Sequence, residues 1–210
     1  FNPLFEALGS FRVLALRPLS EKDIQSILSR NKGFEKEQFL SMVRQKKIEY
    51  LLDNPLTLMM LVELVMAGIW PQNKFDLYYE TVRILLTEKN EPHLDAKVSK
   101  FNFEQLLTQS GKLFAHLLIA GVQSITSTYT TSSSYINKSD IGFDITTVNT
   151  ILSTKVFSNV SSGVFSPKHR TIAEFLGALW LVQNLKERMT LGRLLQVIGY
   201  DGVPIPELRG

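Results

Sequence analysis

The sequence predicts a mainly α-helical fold, a helical bundle followed by a winged-helix domain with a small β-hairpin. Three observations carry that expectation. Apolar residues recur at helical spacing through most of the 210 residues. Two short β-like runs, Lys155 to Val160 and Val164 to Ser166, flank Ser161-Ser162-Gly163, a hairpin signal. After residue 96 the order is helix, short helix, hairpin, long helix, which is the order of a winged helix. No internal repeat of fixed period is present.

Taken in order, Phe11 to Leu16 is an apolar run halted by Pro18, a buried strand with no partner in an otherwise helical chain. It makes sense as the last strand of a sheet whose remainder lies upstream, and Phe1-Asn2-Pro3 fits a piece of a longer protein. A helix is expected from Leu19, with Ser20 and Asp23 forming a capping box and Gly33 ending it. A second runs from Glu35 to Leu52 through Phe39, Leu40, Val43, Ile48, Leu51 and Leu52 and stops before Pro55. Pro55 opens a third, to about Ala67, where its missing N–H costs nothing. That helix is apolar nearly all round and therefore buried, and Gly68 ends it. Phe75 to about Thr87 gives a fourth.

Between Asn90 and Val98 the periodicity lapses, which marks a subdomain junction. A clear stripe follows from Phe103 to Leu118, closed by Gly121. Ser124 to Asp140, rich in Ser and Thr, reads as an exposed loop or wet hairpin. A short helix spans Ile145 to Leu152, and a strong one spans Thr171 to Lys186. Asp201 to Gly210 reads as irregular. The resulting division is 1–18, the end of an upstream domain; 19–95, helical; 96–188, winged helix; and 189–210, a following helical segment or linker.

Composition narrows the chemistry. With no Cys there is neither a disulfide scaffold nor a thiolate metal site, and a reducing, cytoplasmic compartment fits. Three scattered histidines leave little for a zinc centre, so no metal ligands are assigned. The longest apolar run, Leu56 to Trp70, is shorter than the roughly 20 residues that span a bilayer, so no membrane segment is expected. A formal charge of +3 does not by itself point to nucleic acid. Gly111-Lys112 lies within a helical stripe and lacks the earlier glycine of a phosphate-cradling loop. No nucleophile elbow or zinc-protease motif is present. Nothing in the chain assembles a catalytic centre, and no catalytic residue is assigned.

Two stretches stand out. One is Asp53-Asn54-Pro55-Leu56-Thr57-Leu58, opening the buried helix. The other runs from Phe165 to Trp180, FSPKHRTIAEFLGALW, and puts His169 at a helix start between Lys168 and Arg170. Helix N-termini offer unpaired amides and positive dipole, and imidazole adds a directional donor. His116, on an apolar stripe, is expected as a core or helix-contact residue, and His93 as solvated. Trp70 and Trp180 are expected in the core or between subdomains.

The Phe165 to Trp180 stretch resembles the F-x-x-x-H-x-T-x-x-E-[FY]-x-x-A signature in the winged-helix part of NACHT-type STAND ATPases. Those are the nucleotide switches of NOD-like receptors and bacterial antiviral STAND proteins. Asn54-Pro55-Leu56 resembles the family's proline motif, and Leu16-Arg17-Pro18-Leu19-Ser20 the exit from its last nucleotide-domain strand. Trp70 to Leu86 resembles its LY-containing helix. The resemblance covers about residues 11–188. It implies that Pro55 packs on adenine and that His169 contacts the β-phosphate of ADP, holding a closed state. It also implies an upstream nucleotide-binding domain as partner, homo-oligomerisation on activation, and a parent that hydrolyses ATP slowly with Mg²⁺. This chain would not itself be an enzyme. Two positions depart from the signature: Ala173 stands where Gln is usual, and Gly177 replaces one of two alanines.

Two other readings stand beside this one. A helical protein-interaction domain fits the same buried helices. A DNA-binding winged helix would read DNA with Asp144 to Ser153, which contains no Lys or Arg, so nucleic acid is disfavoured.

Overall fold

The first helix begins where its sequence caps it. In the computed structural model, which describes residues 17–30, 35–88, 101–128, 134–185, 190–200 and 203–204, α1 spans Glu21–Ser29. The Ser20 hydroxyl accepts from the Asp23 N–H at 3.3 Å and the Asp23 carboxylate accepts from the Ser20 N–H at 3.0 Å. This is the expected capping box. The Ser20 hydroxyl also donates to the Asp23 carboxylate, and that bond, with the one from the Ser20 N–H, holds the Asp23 carboxyl below its ordinary pKa. The Phe11 to Leu16 strand, Gly33 and the 95/96 and 188/189 boundaries lie outside the described residues.

The second helix corrects an expectation. Instead of running to Leu52, α2 spans Lys36–Lys46 and ends at Lys47, which adopts φ 57° and ψ 42°. The Lys47 N–H donates to Arg44 and the Ile48 N–H to Val43, at 3.0 and 3.2 Å. This closing pattern usually has glycine at the left-handed residue. A short 3-10 turn, Glu49–Leu51, follows. The spacing explains the break: Ile48 comes five positions after Val43, about 140° further round a helix, so one continuous helix would turn them to different faces. The left-handed residue re-aims the chain, and Ile48, Leu51 and Leu52 all enter the core.

Helix α3 spans Pro55–Met66 and is buried on most sides through Leu58, Met60, Leu61, Val62 and Leu64. Its exposed stripe is Met59, Glu63 and Met66. Gly68, at φ 78°, ends it as expected. Helix α4, Lys74–Thr87, starts with Asn73 accepting from the Asp76 N–H at 2.9 Å while the Asp76 carboxylate accepts from Gln72 at 3.1 Å. The chain divides into two compact units, residues 1–77 and 78–210, and passes from one to the other inside α4.

The second unit combines helices with a small sheet. Helix α5, Phe103–Ile119, carries a capping box of Asn102 and Gln105 and is closed by Gly121 at φ 66°. Strands β1 (Ser124–Thr126), β2 (Tyr135–Asn137), β3 (Phe157–Ser161) and β4 (Val164–Pro167) form one sheet in the order β2-β1-β4-β3. Helix α6, Ile145–Leu152, precedes the β3–β4 hairpin, whose turn places Gly163 at φ 72°. Helix α7 spans Arg170–Leu185. The mainly α class with a small hairpin is thus the observed one.

The Ser/Thr-rich region is a second correction. Its ends are strands, and β1 pairs parallel with β2 and antiparallel with β4. All three β1 residues are buried. Ile125 anchors the strand, and the Thr126 hydroxyl is satisfied by Thr128. Composition hid this because the buried hydroxyls are satisfied within the protein rather than by solvent, Thr126 by Thr128 and Ser124 by Ser166 across the sheet. Downstream, α8 spans Leu191–Ile198 and β5 (Gly199–Tyr200) pairs with β6 (Val203–Pro204). The strand β6 falls within the tail expected to be irregular.

Candidate functional site

The two helix starts singled out in the sequence are built differently, and each lies in its own unit. At α3 the chain is held by neighbours. The Asn54 side chain accepts from the Leu56 N–H at 2.8 Å. The Thr57 hydroxyl donates to the Leu51 carbonyl at 2.6 Å. The Asp53 carbonyl accepts from the Leu19 N–H at 2.9 Å, tying the Arg17-Pro18-Leu19 lead-in to this turn. Pro55 occupies the first helical position and is exposed. Its ring is an apolar face open to a flat partner.

At α7 the chain is held by tertiary structure. After β4, the Lys168 N–H donates to Val156 at 2.9 Å, fixing the turn against the base of β3. His169 is half-buried, and its carbonyl accepts from Ile172 and Ala173 as the helix opens. Arg170 is exposed and pairs through Nε with Glu174 at 2.8 Å, so part of its positive field is spent locally. Lys168 is exposed beside it. A cleft of about 400 Å³ lies against this turn, walled by Leu117, Leu118 and Val122 of α5 and its closing turn, with Ser166, Pro167 and Arg170 opposite. His169 is not among its lining residues.

The body of α7 is fixed by α5. A Cβ on Gly111 would stand 2.8 Å from both the Leu176 carbonyl oxygen and the Trp180 Cβ. A Cβ on Gly177 would stand 3.2 Å from the Ala115 nitrogen. The two glycines let the helix backbones approach closely, which explains the departure from the signature at Gly177. Gly111-Lys112 is therefore a packing feature. Ala173 is buried. Phe114 stacks on Phe157 with centroids 4.8 Å apart, joining α5 to the hairpin.

The first turn of α7 also meets α4 within the second unit. Tyr78 stacks on Phe175, centroids 5.5 Å apart and planes 24° apart. The Thr171 hydroxyl, one turn back on the same side, is shut off from solvent and closes no well-aligned hydrogen bond. Burial pushes the Tyr78 phenol above its ordinary pKa, the Thr171 hydroxyl beside it pulls it down, and the Glu174 charge raises it.

Of the two residues the sequence singled out for nucleotide, Pro55 lies in the first unit and His169 in the second. His116 is exposed rather than in the core, and it is the expected helix-contact residue, its ring 6.2 Å from that of Trp180 on α7. Its Nδ1 lies 2.7 Å from the Lys112 carbonyl, and its ring meets Phe143 edge-on at 5.4 Å. His93 lies outside the described residues. Trp70 is half-buried against Phe39, and Trp180 is half-buried over Gly111. Sequence reasoning missed Tyr78 and Thr171, although both stand inside stretches it quoted. It also missed Gly111, whose signal was a glycine inside a helical stripe.

Among the described residues, no group of three or more His, Cys, Asp or Glu is placed to hold a metal ion. None of their helices is long and apolar enough to cross a membrane. Set against known proteins, the chain matches no family model, no curated protein and no solved structure.

Proposed function

We propose that this chain is the helical and winged-helix regulatory part of a NACHT-type STAND signalling ATPase, working in the cytoplasm in innate immune or antiviral defence. It closes over ADP held by an upstream nucleotide-binding domain and so controls nucleotide-dependent homo-oligomerisation. The observation that carries the reading is the Phe165 to Trp180 signature. Its strand, turn and helix start bring a half-buried His169 to the first turn of α7. A diphosphate suits that place because helix N-termini carry positive partial charge and an imidazole can donate to an oxygen. The exposed ring of Pro55 offers an apolar face to a purine.

On this reading His169 holds a phosphate oxygen and Pro55 packs on the base, as the resemblance implies. Mg²⁺ and the hydrolysis of ATP belong to the upstream domain, since this chain has no phosphate-cradling loop. A ligand shifts a two-state equilibrium only by its differential affinity, so a contact made in the closed arrangement alone favours closure. Helix α6 carries no Lys or Arg, which weighs against a DNA reader.

The test is His169→Ala in the parent protein. A hydrogen bond to a charged oxygen is worth about 1.5–3 kcal/mol, so co-purified ADP should fall by about tenfold or more. Spontaneous assembly should rise. Unchanged ADP content with unchanged elution volume would overturn the proposal in favour of a helical protein-interaction domain.

A further inference from the structure

The cleft beside the start of α7 has a chemistry of its own, and His169 is not among the residues that line it. It encloses about 400 Å³, a size that suits a small molecule. Leu117, Leu118 and Val122 form one wall, and Pro167 and Ala173 carry the apolar surface on the other. Leu117 and Ala173 are buried, and the close α5–α7 approach at Gly177 holds the two walls apart at a fixed distance. Among the described residues that line the cleft, Arg170 alone is charged and none is acidic or aromatic. Ser124, 6% exposed, stands Oγ to Oγ with Ser166 at 2.5 Å, and both line the same space. In such a pair one hydroxyl donates to the other, and the accepting hydroxyl keeps a proton of its own to give. Ser166 at the end of β4 and Arg170 at the start of α7 therefore set a hydroxyl and a guanidinium four residues apart on one wall.

These groups choose a ligand by what they lack as well as by what they offer. A cationic ligand meets no carboxylate in the lining. A purine or other flat ring meets no aromatic face to stack on. A dianionic phosphate brings more charge than one guanidinium answers, and Arg170 already gives its Nε to Glu174. A carboxylate is singly charged and accepts from a guanidinium and a hydroxyl together, while an aliphatic body fills the apolar walls. We propose that the cleft is a binding site for an aliphatic monocarboxylate. Its carboxylate lies at Arg170 and the Ser124–Ser166 pair, with the hydrocarbon against Leu117, Leu118 and Val122. The site is separate from the nucleotide contact assigned to His169 and does not rest on it. A bound carboxylate bridges the closing turn of α5, the β1 and β4 strands and the first turn of α7, and so stabilises the second unit by mass action.

The experiment adds octanoate to the full-length protein, with octanamide as the neutral counterpart. Methyl NMR follows Leu117, Leu118 and Val122, with Leu58 of the first unit as the control. Octanoate is expected to shift the cleft methyls saturably, with a Kd of about 1 mM or tighter, and to leave Leu58 unmoved. Octanamide should bind about fivefold more weakly, the loss expected when an exposed ion pair is removed. Arg170→Gln should weaken octanoate by about the same factor and leave octanamide unchanged, which separates lost charge from lost structure. Val122→Phe, which adds bulk to the cleft wall, should weaken both probes together. Absent or unsaturable shifts at the cleft methyls up to about 10 mM octanoate would overturn the proposal. So would equal affinity for the two probes, or an Arg170→Gln variant that binds octanoate as the wild type does. Should Val122→Phe fail to fold, the exposed Arg170→Gln change with the two probes still decides.

Discussion

The starts of α3 and α7 do the same geometric job by opposite means. At α3 the turn is held mainly by bonds within six residues, Leu56 to Asn54 and Thr57 to Leu51, with one longer tie from Leu19 to Asp53, and Pro55 rides on top in solvent. At α7 the turn is held from a distance, by Val156, by the ring of Tyr78 and by an α5 backbone close enough to exclude a methyl group. A locally held turn keeps its shape whatever its surroundings do. A turn held by tertiary contacts changes when they change, which the role proposed for His169 requires.

The sharpest way to break the comparison is Gly111→Ala. The added methyl meets a backbone oxygen at 2.8 Å, so α7 must move. Overpacking of this kind costs about 1–3 kcal/mol against a helix-propensity gain of about 1 kcal/mol. A net loss of up to about 2 kcal/mol is expected in urea unfolding, with faster amide exchange at the start of α7 and none at α3. Gly177→Ala, where the contacts are 3.2–3.3 Å, should fall close to neutral because the same propensity gain offsets a milder squeeze. Equal losses at both glycines would mean that α5 and α7 are not held at the observed distance.

Asn54→Ala is the counterpart at α3. Loss of an N-cap costs about 1 kcal/mol. Here the effect should stay local, with unchanged exchange at residues 168–173. Lys47→Gly should go the other way. An L-residue in the left-handed region costs roughly 1 kcal/mol that glycine does not incur, so urea resistance should rise by about that amount, less glycine's extra unfolded-state freedom. Lys47→Gly should not alter retained ADP.

The smallest effects are those of pH, and they separate the two regions by sign. Tyr78 has its folded pKa raised by burial, so its contribution is complete below the unfolded value near 10 and is lost as pH rises through the folded value. Alkaline titration should therefore loosen the α7 start first, and Tyr78→Phe should abolish that dependence. Asp23 has its folded pKa lowered by the Ser20 hydroxyl and N–H, so its contribution is present above about pH 4 and lost as pH falls further. Acidification should fray α1 first, read by exchange at Glu21 to Ile24.

The sequence alone was enough for every feature written in neighbouring residues. The Ser20 box, the Pro55 start, the Gly68 and Gly121 stops and the Ser161-Ser162-Gly163 hairpin all follow from chemistry within a few positions. The positions of Pro55 in a first helical turn and of His169 just before a helix start were also legible, because both follow from nearby residues. Three things were decided by the tertiary structure. Lys47 turned left-handed because the core demanded both Val43 and Ile48. Ser124 to Thr126 became a buried strand because β4 and β2 offered it partners. Tyr78 met Thr171 and Phe175 because close α5–α7 packing fixes where α7 runs. Periodicity records which face of a segment is apolar, and only the packed chain settles which neighbour that face will meet.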